Sequence, residues 1–540
     1  MRNDLYGTLL EADHALSLET GCGDTAENFY RRPSEQRRDV ISIPGSVLRL
    51  SRPETSGNSV RLGHPDQRYV VAAVYVAAML MNTLDSTIVN VALVTLGREF
   101  GVPPVTTEAV VVAYLVSLAV FIPASGWLGD RFGTKRVFLT ALALFVGASA
   151  LCGLARSLEQ LVAFRVLQGA GGGLLTPVGM AMLYRTFPPQ ERIAVGRILM
   201  FATILGPASG PILGGFLIER LSWRWAFYVN IPVGLIAFAI GFLFLHEHRE
   251  SAPGRFDLPG FVLGGAGLGL VMYALSEAPQ RGWTSPDIAG AAIAGILILA
   301  TFVAVELRSA APMVQLRLLT NRLFRTTQVT SFFGTAGFIG TLFLVPLFLQ
   351  EVRGASPLEA GLTTFPEALG VVTSTQVVAR LYPRVGPRRL MAGGLVLMAT
   401  AIVLLASVGL TSGPWVVRVL MFMVGAGMAY VFLPNQAASL ATISRSDTGR
   451  ATTIANVQRQ VGAAVGVAAL GSVLAAVGAI GGDATGFIAY RAAFLVAAVL
   501  ALVGAASALR VPDEEAAGTM HLKVRAKRSE PGDLQAAEAV

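Results

Sequence analysis

The sequence predicts an all-α polytopic membrane protein of fourteen spans, arranged as two six-helix bundles with two helices inserted between them. Composition carries the first part of that reading. The chain is 53% hydrophobic and only 14% charged, too apolar for a water-soluble fold. Patterning carries the second. The apolar residues fall in blocks of about 20, the length that spans a bilayer as a helix, not in the short alternating segments of an outer-membrane barrel. The third part is an internal repeat. Arg131, Gly133, Lys135 and Arg136 recur 253 residues later as Arg384, Gly386, Arg388 and Arg389. The same offset carries Arg165-Val166-Leu167 onto Arg418-Val419-Leu420. Repeats of this size build two-lobed membrane proteins with a site at the lobe interface.

In order along the chain, residues 1–68 are polar and Arg-rich with no apolar core of a signal peptide, and read as a cytoplasmic tail without chemistry of its own. Residues 69–246 hold the first bundle, with spans near 69–94, 108–128, 137–156, 159–183, 195–218 and 226–246. Residues 247–325 form a linker region with two extra spans near 259–279 and 286–306. Residues 326–510 hold the second bundle, with spans near 327–350, 358–379, 389–410, 413–438, 451–478 and 488–510. Residues 511–540 are a charged tail.

Charge sets the orientation. Loops after even-numbered spans carry Arg131, Lys135, Arg136, Arg185, Arg192, Arg249, Arg255, Arg308, Arg317, Arg322, Arg325, Arg384, Arg388, Arg389, Arg445 and Arg450, and the odd loops are much poorer. The positive-inside rule then puts the even loops and both termini in the cytoplasm, with the chain in the cell's inner membrane. The same rule accounts for the net charge of +8, so no nucleic-acid partner is expected. Cys22 and Cys152 give neither a disulfide framework nor a metal set.

Ionisable residues inside spans are costly and mark function. Asp85 lies more than halfway along span one, within Leu84-Asp85-Ser86-Thr87-Ile88-Val89-Asn90. Arg165 lies in span four within Arg165-Val166-Leu167-Gln168-Gly169. At ~1.5 Å per residue, their distances from the span ends put the two within roughly 3–6 Å of one depth. A neighbouring cation stabilises a carboxylate and desolvation opposes it, so such a pair is a candidate for proton loading. Glu367, after Pro366 in span ten, is a second deep acid suited to a cationic ligand, a proton or a local hydrogen bond. Glu108, at the outer end of span two, reads as an interfacial residue. Span five holds Gly206, Pro207, Gly210, Pro211, Gly214 and Gly215. Its prolines remove backbone donors, and its glycines at four-residue spacing admit a close neighbour helix. Between spans two and three lies Gly126-Trp127-Leu128-Gly129-Asp130-Arg131-Phe132-Gly133-Thr134-Lys135-Arg136. Its glycines suit a tight turn, and Asp130 is placed to cap the next helix or to pair with a base.

Together these stretches, from about residue 70 to 510, resemble the fourteen-span drug:proton antiporters of the major facilitator superfamily, of the EmrB/QacA type. The resemblance implies proton coupling at Asp85 with Arg165, and a conformational latch at Gly126, Asp130, Arg131, Gly133, Lys135 and Arg136. It implies an antiporter hinge at Gly206, Pro207, Gly210, Pro211, Gly214 and Gly215. Trp223–Gly234, entering span six, matches the family as an interfacial anchor, and the Arg459–Gly466 stretch in span thirteen matches as well. Asn90, Gln168, Gln350, Glu367 and Arg459 are the candidate cavity residues. The chain departs from the pattern at Val94, where the family has proline, and at Pro383, where the second-half latch lacks its acid.

The expected activity is therefore export of hydrophobic small molecules, drugs or antibiotics, by proton-coupled alternating access. The expected partners are a hydrophobic or cationic substrate, protons and the lipid bilayer, with an envelope-spanning partner left open. No cofactor is expected beyond the proton gradient, and no metal. A dedicated exporter of one endogenous metabolite is the alternative. The span-five signature argues against an uptake symporter, and the repeat with its hinge argues against a channel or receptor. The sequence has no P-loop, no nucleophile elbow and no His cluster, so it does not read as an enzyme.

Overall fold

A computed structural model describes residues 67–187, 192–250, 254–309, 311–409, 412–444, 447–481 and 486–520. Most of the N-terminal tail, Arg445 and the end of the C-terminal tail lie outside the described residues. The described chain is helical, with no strand among the described residues.

The first lobe holds α1 (Gln67–Phe100), α2 (Glu108–Phe132), α3 (Thr134–Leu154), α4 (Leu158–Thr186), α5 (Arg192–Arg220) and α6 (Trp225–Phe244). The inserted hairpin is α7 (Leu258–Arg281) and α8 (Pro286–Arg308). In the second lobe, α9 (Arg322–Leu347) ends in a π-helical turn, Phe348–Val352. Then come α10 in two pieces (Pro357–Thr364 and Pro366–Val385), α11 (Pro387–Ser407), α12 (Pro414–Ser439), α13 (Thr448–Gly481) and α14 (Gly486–Ala508).

Twelve of these helices are long and apolar enough to cross a membrane. The other two are α5 and α10. Span ten is not one continuous helix: Pro366 supplies no N–H, the chain breaks at Phe365, and the longer piece carries Glu367, Arg380 and Arg384. Local sequence sets several helix starts. Asn321 accepts a hydrogen bond from Phe324 N at 3.0 Å, and Asp257 accepts one from Gly260 N at 2.9 Å, each capping a helix. Pro286, Pro357, Pro387 and Pro414 occupy first-turn positions where the missing N–H costs nothing. The α7–α8 hairpin is the least packed part. The apolar stretches of α7 and α8 are 22% and 11% buried, against 72% in α9, so the hairpin presents its apolar surface outward.

The two lobes meet at the end that carries the connections after odd-numbered helices, here called the odd-loop end. Gln350 donates from Nε2 to the Val91 carbonyl at 3.1 Å, and Leu358 N donates to Glu219 Oε2 at 3.3 Å. A Cβ on Gly215 would lie 2.6 Å from Leu358 Cα, and one on Gly361 would overlap the Pro211 carbonyl. The first piece of α10 therefore packs directly on α5, and the odd-loop end is closed.

Candidate functional site around Asp85

Asp85 is fully buried on α1, and its carboxylate oxygens divide their partners. Oδ2 receives Arg165 Nη1 at 2.5 Å. Oδ1 receives Gln168 Nε2 at 2.8 Å and Asn230 Nδ2 at 3.0 Å. Gln168 Nε2 and Asn230 Nδ2 also each donate to Ser149 Oγ at 3.0 Å, and the Ser149 hydroxyl donates to the Phe227 carbonyl at 3.0 Å. Arg165 is held from three further sides. Its Nη1 reaches Gln168 Oε1 at 2.7 Å, its Nε donates to the Val110 carbonyl at 3.1 Å, and its guanidinium lies 4.0 Å from the Tyr114 ring centroid. A buried charge survives only when paired and hydrogen-bonded, and this pair is both. It ties α1, α2, α3, α4 and α6 to one carboxylate.

Two residues take on a defined place here. Gln168, a candidate cavity residue, is fully buried and bound to Asp85 and Ser149, so in this structure it orients the carboxylate. Asn230 sits inside the stretch read as an interfacial anchor, yet its amide binds Asp85 directly. Ser149, Tyr114 and Asn230 carry no charge, and nothing in a single sequence separates them from ordinary polar residues of a span.

The glycine row of α5 packs along α1 beside this site. A Cβ on Gly206 would overlap the Thr83 hydroxyl, and one on Gly210 would overlap the Thr87 hydroxyl. A Cβ on Gly214 would stand 2.7 Å from Ile88 Cγ1. The row thus brackets Asp85 from two residues before it to three after. Gly215 faces the other lobe instead, against Leu358. Gly210→Val should force α5 and α1 apart at a cost of ~1–3 kcal/mol, the usual cost of overpacking. A lower thermal midpoint in detergent together with lost transport is the expected result, checked by differential scanning fluorimetry and vesicle transport.

The latch stretch turns between α2 and α3 at Gly133, whose φ of 98° favours glycine. Asp130 does not cap α3. It pairs with Arg185 at 3.4 Å, and Arg185 also binds Glu250 at 2.9 Å. The cap comes from Glu247, just after α6, which accepts from Lys135 N at 2.9 Å and Arg136 N at 3.2 Å. Lys135 Nζ donates to the Phe242 carbonyl at 2.8 Å. Gly126 and Arg131 are exposed, and a Cβ on Gly126 would meet nothing within 4 Å. Gly126 therefore makes no close helix approach here.

The second lobe repeats the cap though it lacks the acid at Pro383. Gly386 turns with a φ of 81°, and Asp513, just after α14, accepts from Arg388 N at 2.9 Å. Glu247→Ala should remove the α3 cap and destabilise the first lobe by ~1 kcal/mol, read as a small fall in thermal midpoint with transport direction unchanged.

A model of the Major Facilitator Superfamily matches residues 75–467. The chain belongs to the major facilitator superfamily. It is 33% identical over 441 residues to a multidrug resistance protein B homolog of Mycobacterium tuberculosis (strain CDC 1551 / Oshkosh), covering 80% of this chain and 81% of that one. It is 35% identical over 345 residues to the putative multidrug resistance protein MdtD of Serratia proteamaculans (strain 568), covering 64% and 72%. Among solved structures, a peptide transporter POT in complex with sulfate superposes with a TM-score of 0.62 at 16% identity, covering 84% of this chain and 96% of that one. That last likeness concerns the fold.

Within this superfamily chain the lobes are not chemically equivalent. The position 253 residues after Asp85 is Phe338. Arg418, the repeat of Arg165, lies 4.8 Å from the Trp415 ring with its Nε unpaired among the described residues. Among the described residues, the buried Asp–Arg pair lies in the first lobe. The other candidate residues stand apart from it. Asn90 is buried with Oδ1 lacking a partner among the described residues. Gln350 bridges the lobes. Glu367 is buried on α10, its backbone pressed on Gly425 of α12. Arg459 bonds Asn456 Oδ1 at 3.2 Å within α13.

Proposed function

We propose that this superfamily transporter is a proton-coupled antiporter that exports hydrophobic small molecules across the inner membrane by alternating access. The observation that carries the reading is the Asp85–Arg165 pair, buried on both sides and bonded to five helices of one lobe. The multidrug resistance names of its relatives support the substrate class.

Asp85 has two states that differ by one charge in a low-dielectric site. Ionised, it balances Arg165 and accepts three hydrogen bonds. Protonated, it leaves Arg165 with the Val110 carbonyl, Gln168 and the Tyr114 face. Arg165 then attracts an electron-rich ligand or rebuilds its contacts by a shift of α4. Because the carboxylate also anchors Ser149 and Asn230 through amides, its charge state biases the packing of α3 and α6. The α5 glycine row lets α1 transmit that change to α10 through Gly215 and Leu358. In this reading the odd-loop end faces outward, and closure there corresponds to the stage open to the cytoplasm. The latch at Gly126 and Arg131, exposed here, engages when the lobes close at the opposite end. Protons entering from outside neutralise Asp85 and release substrate outward, and their loss inward restores affinity.

The test is transport of lipophilic cations and uncharged antibiotics into inverted membrane vesicles. Accumulation that follows an imposed proton gradient and needs no ATP supports the reading. Accumulation that requires ATP, or that persists after the gradient is collapsed, overturns it.

A further inference from the structure

Glu108 opens α2 and is 3% exposed, not interfacial as its place at the span end implies. Its Oε2 is buried with no hydrogen-bond partner, and no ion pair reaches its carboxylate, among the described residues. The carboxylate lies where three parts of the molecule meet. A Cβ on Gly471 of α13, in the second lobe, would overlap Glu108 Oε2. On the inserted α7, the Ser276 hydroxyl lies beside the carboxylate without closing a well-formed hydrogen bond to Oε2, and Glu277 adds a like charge. Ser472 Oγ donates to the Leu275 carbonyl at 2.7 Å and holds α13 on α7. The glycine at 471 is what admits the acid, since any side chain there would displace it.

Among the described residues, no charge on the elements packed around Glu108 forms an ion pair with it. Glu277 on α7 is tied to Arg281 at 3.0 Å, and Arg281 also holds Asp287 of α8 at 3.2 Å. The charged residues of α13, Arg450 and Arg459, are more than three turns away from Gly471. At the end of α1, Glu99 binds Arg224 at 3.2 Å, with Arg98 beside it. On α4, Arg165 is engaged by Asp85.

We propose that Glu108 is a second proton-binding acid that senses contact between the lobes. It takes up a proton when α2 and α13 close at the odd-loop end and releases it when they part. Burying a carboxylate without a counter-ion is costly, and a proton removes that cost. Parting the lobes opens the contact to water, where the ionised form is solvated. Low pH therefore favours the closed odd-loop end and high pH favours the open one. The signal has a short path to Asp85, because the same turn of α2 presents the Val110 carbonyl that binds Arg165 Nε. The inference rests on the alternating-access reading above. It concerns conformation, so it is measured without transport.

The experiment measures the distance across the odd-loop end by electron-spin double resonance in nanodiscs. Spin labels replace Arg156 in the first lobe and Trp415 in the second, with Cys22 and Cys152 changed to alanine. All measurements use an Asp85→Asn background, which removes that carboxylate's titration. The expected result is a closed population that grows as pH falls, by up to about ten-fold per pH unit across the Glu108 titration, the limit for one linked proton. Adding Glu108→Gln should leave the end closed and abolish the pH response. A distance independent of pH in Asp85→Asn, or an unchanged pH response after adding Glu108→Gln, overturns the proposal. If the vesicle test fails while this response is present, the antiport reading falls and the Glu108 switch stands.

Discussion

Asp85→Asn is expected to abolish uphill export while leaving the protein folded and able to exchange substrate down its gradient. The side chain keeps its size, so the packing of α1 against the α5 glycines is retained. The chemistry changes in two ways. The charge that balances Arg165 is lost, and one oxygen becomes an NH₂ group. In the native site all three contacts on Asp85 come from donors: Arg165 Nη1, Gln168 Nε2 and Asn230 Nδ2. An amide NH₂ must face one of them donor to donor. Arg165 is then held permanently as it would be beside a protonated acid, and the site has no second charge state to couple to the proton gradient. Substrate accumulation against a gradient and substrate counterflow, measured on the same vesicles, separate these outcomes. Accumulation should vanish and counterflow should remain.

Arg165→Leu is expected to be the most destabilising single change in the first lobe. It strips the cation from a carboxylate that is 0% exposed. Breaking a buried pair in this way costs ~3–5 kcal/mol, because the remaining charge is left unpaired. The Val110 carbonyl loses its donor as well. The size of the effect should depend on Asp85. In the Arg165→Leu/Asp85→Asn double variant the orphan charge is gone, so much of the lost stability should return, and the two changes should be strongly non-additive. Thermal midpoints of the two single variants and the double variant give this directly. Equal losses that simply add would mean that the pair is not the source of the effect.

The parts of this site that were legible in the sequence are those that break an apolar run. Asp85 and Arg165 are charges inside spans, and their depths along oppositely directed helices already implied a meeting. The glycine spacing of α5 likewise implied a close neighbour, though not that the neighbour is α1 on one side and α10 on the other. Ser149 and Asn230 were not legible, because a serine or asparagine in a span satisfies itself in many ways and only the fold decides which. Glu247 and Asp513 were hidden for a different reason. Each lies in a polar stretch just after a lobe's last helix, and its target is a helix start more than a hundred residues earlier. Local spacing left Asp130 either to cap that helix or to pair with a base; it pairs with Arg185, and the chain after α6 returns to the helix start and supplies Glu247 as the cap. Glu108 looked interfacial because a single span end carries no information about the helix from the other lobe that covers it. The break in α10 could be read from Pro366, but its use as the surface that packs on α5 could not.

The most direct test of proton coupling at Asp85 is proton release on substrate addition. Inverted membrane vesicles with an imposed pH gradient, acidic inside, are exposed in turn to lipophilic cations and uncharged antibiotics while the gradient is followed by a pH-sensitive dye. Coupling through Asp85 predicts that a transported compound dissipates the gradient in wild-type vesicles and leaves it intact in Asp85→Asn vesicles. Equal dissipation by both proteins would contradict it and place the coupling carboxylate elsewhere in the molecule.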